Sequence, residues 1–293
     1  MTITDNNFLG IGYVIAAIFV FSTVNVIAKG AMADYSIIQV IFFRNVFAII
    51  PAGLMLMREG GLKAMKTPQL PRHIIVGLSG VVALYCLFAS LRDMPLAEAV
   101  TIHYSASFIL TIMSAWILSE FIGIHRWSAI IIGFIGVVIM FRPTGDFFNA
   151  GALYALGFAI GDAFFMLNAR ILTRTDNSSA VVMYYVLICT VISGAMLPWT
   201  WTTPTLVDGL KLAILGLGAG FGQFFMAQGY KNAPARTVAP FIYSGLLWSI
   251  AYGYFIFGDV PDMNLLIGAG LIVTGGLYVI YREALHLRDN GAG

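Results

Sequence analysis

Charged residues in this chain lie mostly in short gaps between ten long apolar stretches. Windows bounded by charge, glycine or proline predict helices over residues 8–28, 36–57, 73–91, 96–118 and 127–141, then over 151–171, 180–198, 210–230, 234–257 and 264–281. A helix of about 20 mostly apolar residues crosses the roughly 30 Å of hydrocarbon in a bilayer. The expectation is an all-α polytopic membrane protein, with no gap large enough for a soluble domain. Composition agrees, because 59% of the 293 residues are hydrophobic and 10% are charged, against about one-quarter charged in a soluble domain.

Charge placement sets the expected orientation. With a cytoplasmic N-terminus, eleven basic residues fall on the cytoplasmic side: Arg58, Lys63, Lys66, Arg72, Arg126, Arg170, Arg174, Lys231, Arg236, Arg282 and Arg288. Four fall opposite, Lys29, Arg92, Arg142 and Lys211, which is the bias expected of cytoplasmic loops. Both termini are then cytoplasmic, and residues 282–293 form a short tail there. The opening MTITDNN has neither a basic region nor a small-residue cleavage site, so the first helix is expected to be retained. The basic residues form no run or aromatic-interleaved patch, which leaves nucleic-acid binding without support. Cys86 and Cys189 each sit inside an apolar stretch and read as small core residues rather than disulfide or metal ligands.

The chain also matches itself. Shifted by 139 residues, Pro95 falls on Pro234, Tyr104 on Tyr243, Ser105 on Ser244, Gly136 on Gly275, Glu120 on Asp259 and Arg92 on Lys231. Shifted by 141, Gly10 falls on Gly151, Tyr13 on Tyr154 and Lys29 on Arg170. The order of these matches predicts two five-helix repeats, residues 8–141 and 151–281. Five crossings per repeat invert the second relative to the first. Pro95 and Pro234 then open the fourth and ninth helices at opposite surfaces, where a backbone donor would be unsatisfied anyway. Pro240, about one turn further in, is expected to kink the ninth helix. These three prolines are candidate helix-break or gating positions.

Three stretches carry a resemblance: LRDMPLAEA at 91–99, RWSA then GFIGVVIMFRP within 126–143, and GLGAGFGQ at 216–223 leading into the Ala-Pro turn at 233–234. Together they resemble the EamA-type drug/metabolite transporters over nearly the whole chain, most of all the bacterial ten-helix exporters of amino acids and related metabolites. The resemblance implies alternating access through a central cavity built from helices one to four and six to nine, with five and ten peripheral. GLGAGFGQ does not read as a dinucleotide loop, since it lies in an apolar span with no β-α-β context. Gly216 with Gly220, and Gly218 with Gly222, instead read as small-residue pairs that let helices approach. Ala129, Gly133, Gly136, Gly268, Gly275 and Gly276 read the same way.

Ionisable groups are costly inside a bilayer, so each is a functional candidate. Arg44 and Asp162 lie near the middles of the second and sixth helices and are hypothesised to pair, directly or through water. Arg44 snorkelling or bonding carbonyls, and Asp162 as a plain interhelical hydrogen-bond partner, remain open readings. His103 lies in the outer half of the fourth helix, with Glu98 at its start as an interfacial residue. Helical spacing groups Ser22, Asn25 and Lys29 on the first helix and His103, Ser107, Thr111 and Ser114 on the fourth. Tyr85, Phe165, Met166, Gln223, Tyr243, Ser244 and Trp248 complete the candidate cavity, each equally readable as core packing.

Aromatic walls, a few amides and hydroxyls, and little charge suit a small zwitterionic solute; a nucleotide would want basic clusters. The expectation is a multi-pass bacterial inner-membrane exporter of hydrophobic or aromatic amino acids, rocking about a midplane site. Alternatives are another metabolite or an organic cation resting on aromatic faces, as in drug efflux or S-adenosylmethionine-like uptake, and an intramembrane enzyme. The enzyme has little support: His73, His125 and His286 lie near helix ends, and no HExxH occurs. No cofactor, metal or nucleic acid is expected as a partner, only the solute and lipid, with the chain a monomer or homodimer. An impermeant thiol reagent should reach Tyr35→Cys and Thr175→Cys from opposite sides of the membrane; reaction from one side would contradict the inverted repeat.

Overall fold

A computed structural model describes residues 6–118, 124–140 and 150–290. Its helices are α1 (Asn7–Ala31), α2 (Ile37–Arg58), α3 (Leu70–Asp93), α4 (Leu96–His103), α5 (Ala106–Leu118) and α6 (Ile124–Met140), followed by α7 (Ala150–Leu172), α8 (Ser178–Met196), α9 (Leu206–Asn232), α10 (Ala235–Val238), α11 (Ser244–Tyr252) and α12 (Met263–Asn290). Among the described residues there is no strand. Eight segments are long and apolar enough to cross a membrane, and two shorter apolar helices, Trp127–Met140 and Met263–Val279, accompany them. Glu120 and Arg142 lie outside the described residues.

Side-chain caps start several helices by satisfying otherwise orphaned N–H groups. Asn6 accepts from Leu9 N, Ser36 from Gln39 N and Thr205 from Asp208 N. The ends of α3 and α9 are alike: Met94 (φ −147°, ψ 167°) and Ala233 (φ −146°, ψ 149°) are both extended. Each precedes a proline, whose ring disfavours helical geometry in the residue before it. The turn predicted to repeat thus recurs in backbone detail.

Hydrogen bonds define two ends of the bundle. At one, here the Lys29 face, Tyr35 Oη donates to Asp208 Oδ2 (3.0 Å), and Gln39 Nε2 donates to Thr202 O (2.7 Å). At the other, the Arg58 face, His73 Nε2 meets Asp176 Oδ2 (2.7 Å), Gln69 Nε2 donates to Thr175 Oγ1 (2.6 Å), and Tyr184 Oη donates to Met65 O (2.7 Å). Residues 35 and 175 therefore lie at opposite ends.

Helices pack across the repeats more than within them. α1 and α2 lie on α9, while α7 and α8, their repeat mates, lie on α3. The halves of the sequence are not the halves of the structure. Two mixed clusters, α1–α2–α9 and α7–α8–α3, meet along the α2–α8 crossing, and α6 pairs with α12 alongside.

One helix predicted as continuous is broken. α4 gives way to α5 at Tyr104–Ser105, where Tyr104 N and Ser105 N take the i−3 carbonyls of Thr101 and Ile102 (3.2 and 3.0 Å). The repeat mate is interrupted at the same place, by a 3₁₀ turn over Ala239–Tyr243 that contains Pro240. Pro240 removes a backbone donor there, as predicted. Tyr104 Oη donates to Ile242 O (3.0 Å) and the Tyr104 and Tyr243 rings lie 5.1 Å apart, so each break braces the other.

Glycines set the closest crossings. On α9, Gly218 and Gly222 face α1, and Gly216 and Gly220 face α2. A Cβ on Gly216 would stand 2.6 Å from Phe47 Cβ and 2.7 Å from Phe43 O, contacts that a backbone cannot easily relieve. Gly216→Ala should therefore lower stability by about 1–3 kcal/mol. Gly270→Ala on α12, with nothing within 4 Å of its Cβ, should be neutral or gain up to ~1 kcal/mol from helix propensity. Thermal unfolding of the solubilised variants checks both.

Candidate functional site

Beside the α2–α8 crossing, a cavity is lined by Arg44, Ala48, Ala52 and Met55 of α2 and Phe165 of α7. Val182, Tyr185 and Val186 of α8, with Ala219, Gly220 and Gln223 of α9, complete the wall. From Arg44, mid-way along α2, the lining runs towards the Arg58 end of that helix. Small residues make the room, because alanine and glycine on α2 and α9 leave space that larger side chains would fill. The cavity separates the two mixed clusters: α2 and α9 form one wall, α7 and α8 the other.

Arg44 is the one charged side chain in that lining. A guanidinium offers five donors in a planar fork, and Nη1 of Arg44 donates to Asn45 Oδ1 (3.3 Å). Asn45 is buried and anchored to Ile41 O (2.8 Å). The Phe165 and Tyr185 rings lie 4.8 Å apart on the facing wall. The lining therefore presents one fixed positive charge, an amide from Gln223, a thioether from Met55 and two aromatic rings. Such a set can hold an anionic or zwitterionic head together with a flat or apolar body.

The other sequence candidates divide. Asp162 is half-buried on α7, one turn before Phe165. Among the described residues no ion pair joins it to Arg44, so the direct pair hypothesised from the sequence is not formed. His103 is buried against Phe158, ring centroids 4.6 Å apart, and its Nε2 meets Ser90 Oγ at 3.0 Å. That arrangement fastens α4 to α3 and does not face the cavity. Ser22 is buried and Asn25 half-buried on α1, outside the lining; Tyr85 and Met166 are 36% and 45% exposed. Ser107 Oγ donates to Tyr104 O (3.0 Å). Tyr243, Ser244 and Trp248 sit at the braced helix breaks, where Trp248 packs edge-on to Phe19 (5.0 Å). Ser244 Oγ, Trp248 Nε1 and Ser105 Oγ, the repeat mate of Ser244, are buried without a hydrogen-bond partner. Pro95 and Pro234 stand at the α3–α4 and α9–α10 turns.

Tyr185 was not legible as a candidate. It follows Tyr184 directly, and two adjacent tyrosines point to different faces of a helix with nothing in the sequence to choose between them. A second missed group lies on the Arg58 face. His73 and Asp176 are buried and bonded across the repeats, and Thr67 Oγ1 and Thr175 Oγ1 also donate to Asp176. Burial alone would raise the Asp176 pKa, but the hydrogen bonds from Thr67, His73 and Thr175 outweigh it and hold the carboxyl below its usual range. A lowered folded-state pKa means that this stabilisation is complete above the ordinary carboxylate value near ~4 and is lost as pH falls through the folded one. Asp176→Asn should lower stability by about 1–3 kcal/mol at neutral pH. The gap from the parent should close in acid, as melting curves across pH would show.

Comparison with known proteins agrees with this architecture. The EamA-like transporter family profile matches residues 8–142 and again 149–281. The chain is 29% identical to the S-adenosylmethionine uptake transporter of Rickettsia bellii (strain RML369-C), over 94% of both chains. It is 27% identical to the riboflavin transporter of Vibrio cholerae over 97% of this chain and 96% of that protein. Identity to the pseudopaline exporter CntI of Pseudomonas aeruginosa is 26%, over 90% and 93%. A crystal structure at 18% identity superposes with a TM-score of 0.65, covering 92% of this chain and 96% of the other, which is a likeness of fold.

Proposed function

Because the chain belongs to the EamA-like transporter family, we propose that it exports amino acids, hydrophobic or aromatic ones, across the bacterial inner membrane by alternating access. That it is a membrane transporter and not an enzyme follows from the family. The finer reading takes the Arg58 face as cytoplasmic, from its excess of lysine and arginine, and the two shorter apolar helices as the fifth and tenth of ten crossings. The cavity then opens to the cytoplasm, the side from which an exporter loads.

One observation carries the substrate class: a lone guanidinium in a wall otherwise made of aromatic, apolar and amide side chains. Arg44 is suited to receive the carboxylate as a bidentate pair. The Gln223 amide oxygen is suited to the ammonium, and Phe165 with Tyr185 to the side chain. Release on the far side would follow from rocking of the α1–α2–α9 cluster against α7–α8–α3, rather than of one sequence half against the other. A second reading has specific support in the Rickettsia relative, since S-adenosylmethionine joins an amino-acid head to an aromatic purine and would use the same features for uptake.

Solute exchange in proteoliposomes tests both readings. Aromatic amino acids should exchange, their methyl esters should not, and Arg44→Gln should reduce exchange at least about tenfold, the loss of one charge-assisted pair. Preference for S-adenosylmethionine over every amino acid would favour the second reading, and exchange of no solute would overturn both. Asp162, a half-buried carboxylate on α7 with no ion pair among the described residues, is proposed as a proton carrier. Asp162→Asn should keep exchange and lose uphill accumulation, and unchanged accumulation would remove that role.

A further inference from the structure

The two repeats match the same family profile but differ in what they enclose. The cavity residues Ala48, Ala52, Phe165 and Gln223 have as repeat mates Cys189, Ser193, Val24 and Leu84, by the same offsets of 141 and 139 that align the helices. All four mates are buried, at 0%, 0%, 4% and 3% exposure. They lie on the Lys29 side, where the largest apolar cluster of the protein runs continuously through α1, α2, α3, α8 and α9. On the Arg58 side the apolar contacts break into small separate clusters. One half of the seam is open and its mirror image is sealed.

Lys29 sits at the closed end. Its Nζ donates to Leu91 O and to Met94 O, both at 2.7 Å, and stands 5.3 Å from the centroid of the Phe257 ring. Those carbonyls belong to the last turn of α3, which Pro95 prevents from continuing, so they lack helical donors. The bond therefore joins α1, in one cluster, to the α3–α4 turn, in the other. The repeat mate of Lys29 is Arg170, in the last turn of α7. The mates of the Leu91 and Met94 carbonyls are those of Tyr230 and Ala233, presented by a turn of the same backbone geometry. α1 touches α3, whereas among the described residues α7 and α9 show no comparable contact, and the cavity lies between them.

Building on the alternating-access reading above, we propose that Lys29 is the lock that holds the Lys29 face shut, and that Arg170 becomes the equivalent lock on the Tyr230 and Ala233 carbonyls when the Arg58 face closes. The outward vestibule that then opens is lined by the mates of the present cavity, Val24, Leu84, Cys189 and Ser193. A guanidinium has donors enough to serve both carbonyls. Exchange of one pair of charge-assisted bonds for its mirror image keeps the two states close in free energy, as cycling requires.

Cys189 reports on this directly. In a Cys86→Ala background it is the single cysteine, and an impermeant maleimide added from the Lys29 face should react with it slowly. Lys29→Ala should raise that rate about tenfold, the shift expected from losing such bonds in one of two states. Lys29→Arg should stay near the parent. Arg170→Ala leaves the Lys29 lock in place and provides an independent arm, in which labelling should be slower than in the parent. An unchanged rate in Lys29→Ala, or an unchanged or faster rate in Arg170→Ala, would overturn the proposal. Labelling needs no solute, so failure of the transport reading would show as absent exchange with the labelling pattern intact.

Discussion

Helix α1 can lie against α9 because glycines 10, 218, 222 and 229 place hydrogen atoms, not side chains, at the crossing. In lipid there is little hydrophobic drive between helices, so close van der Waals contact of this kind decides which helices associate. The mirror crossing of α7 on α3 uses Gly157 and Gly161 against Cys86 and Ala83. Both crossings join helices from opposite repeats. Everything else in the molecule follows from that preference: two clusters of mixed origin, a seam between them, and a cavity where the seam has parted.

The second constraint is the satisfaction of backbone groups without water. Pro95 and Pro234 each stop a helix and leave carbonyls exposed at its end, and the paired breaks at Tyr104–Ser105 and Tyr243–Ser244 free more polar groups at depth. Such irregular backbone survives in a bilayer only where protein or a cavity covers it. Here the Tyr104 phenol covers Ile242 O, and Lys29 covers the end of α3. A polar group that seals one state of the seam is a polar group whose release must be compensated in the other, which is why we propose gates at these turns.

Much of this was legible in the sequence. Apolar windows located the helical stretches, the offsets of 139 and 141 pointed to two repeats, and the spacing of Gly216, Gly218, Gly220 and Gly222 announced close crossings. Arg44, Phe165 and Gln223, which line the cavity, were candidates because charge, aromatic and amide groups stand out in apolar helices. The break after His103 was not legible, since no proline or glycine marks it and it depends on Tyr104 reaching the other repeat. Nor was the placement of His103, whose polarity suggested a cavity although Ser90 satisfies it within the packing. Arg44 and Asp162 were matched by depth alone, and depth says nothing of which helices are neighbours. Tyr185 and the His73–Asp176 bond depend on pairings between repeats that local pattern does not encode.

The central claim is that the moving units are mixed clusters rather than sequence halves, and two covalent ties separate these cases. A bifunctional maleimide joining cysteines at 66 and 174 links the two repeats within one cluster. Another, long enough to span the cavity mouth, joins 174 to 231 within one repeat but across the clusters. Measured as solute exchange in proteoliposomes, the first tie should leave transport near the untied rate and the second should stop it. Arrest by the first with free transport under the second would contradict the account.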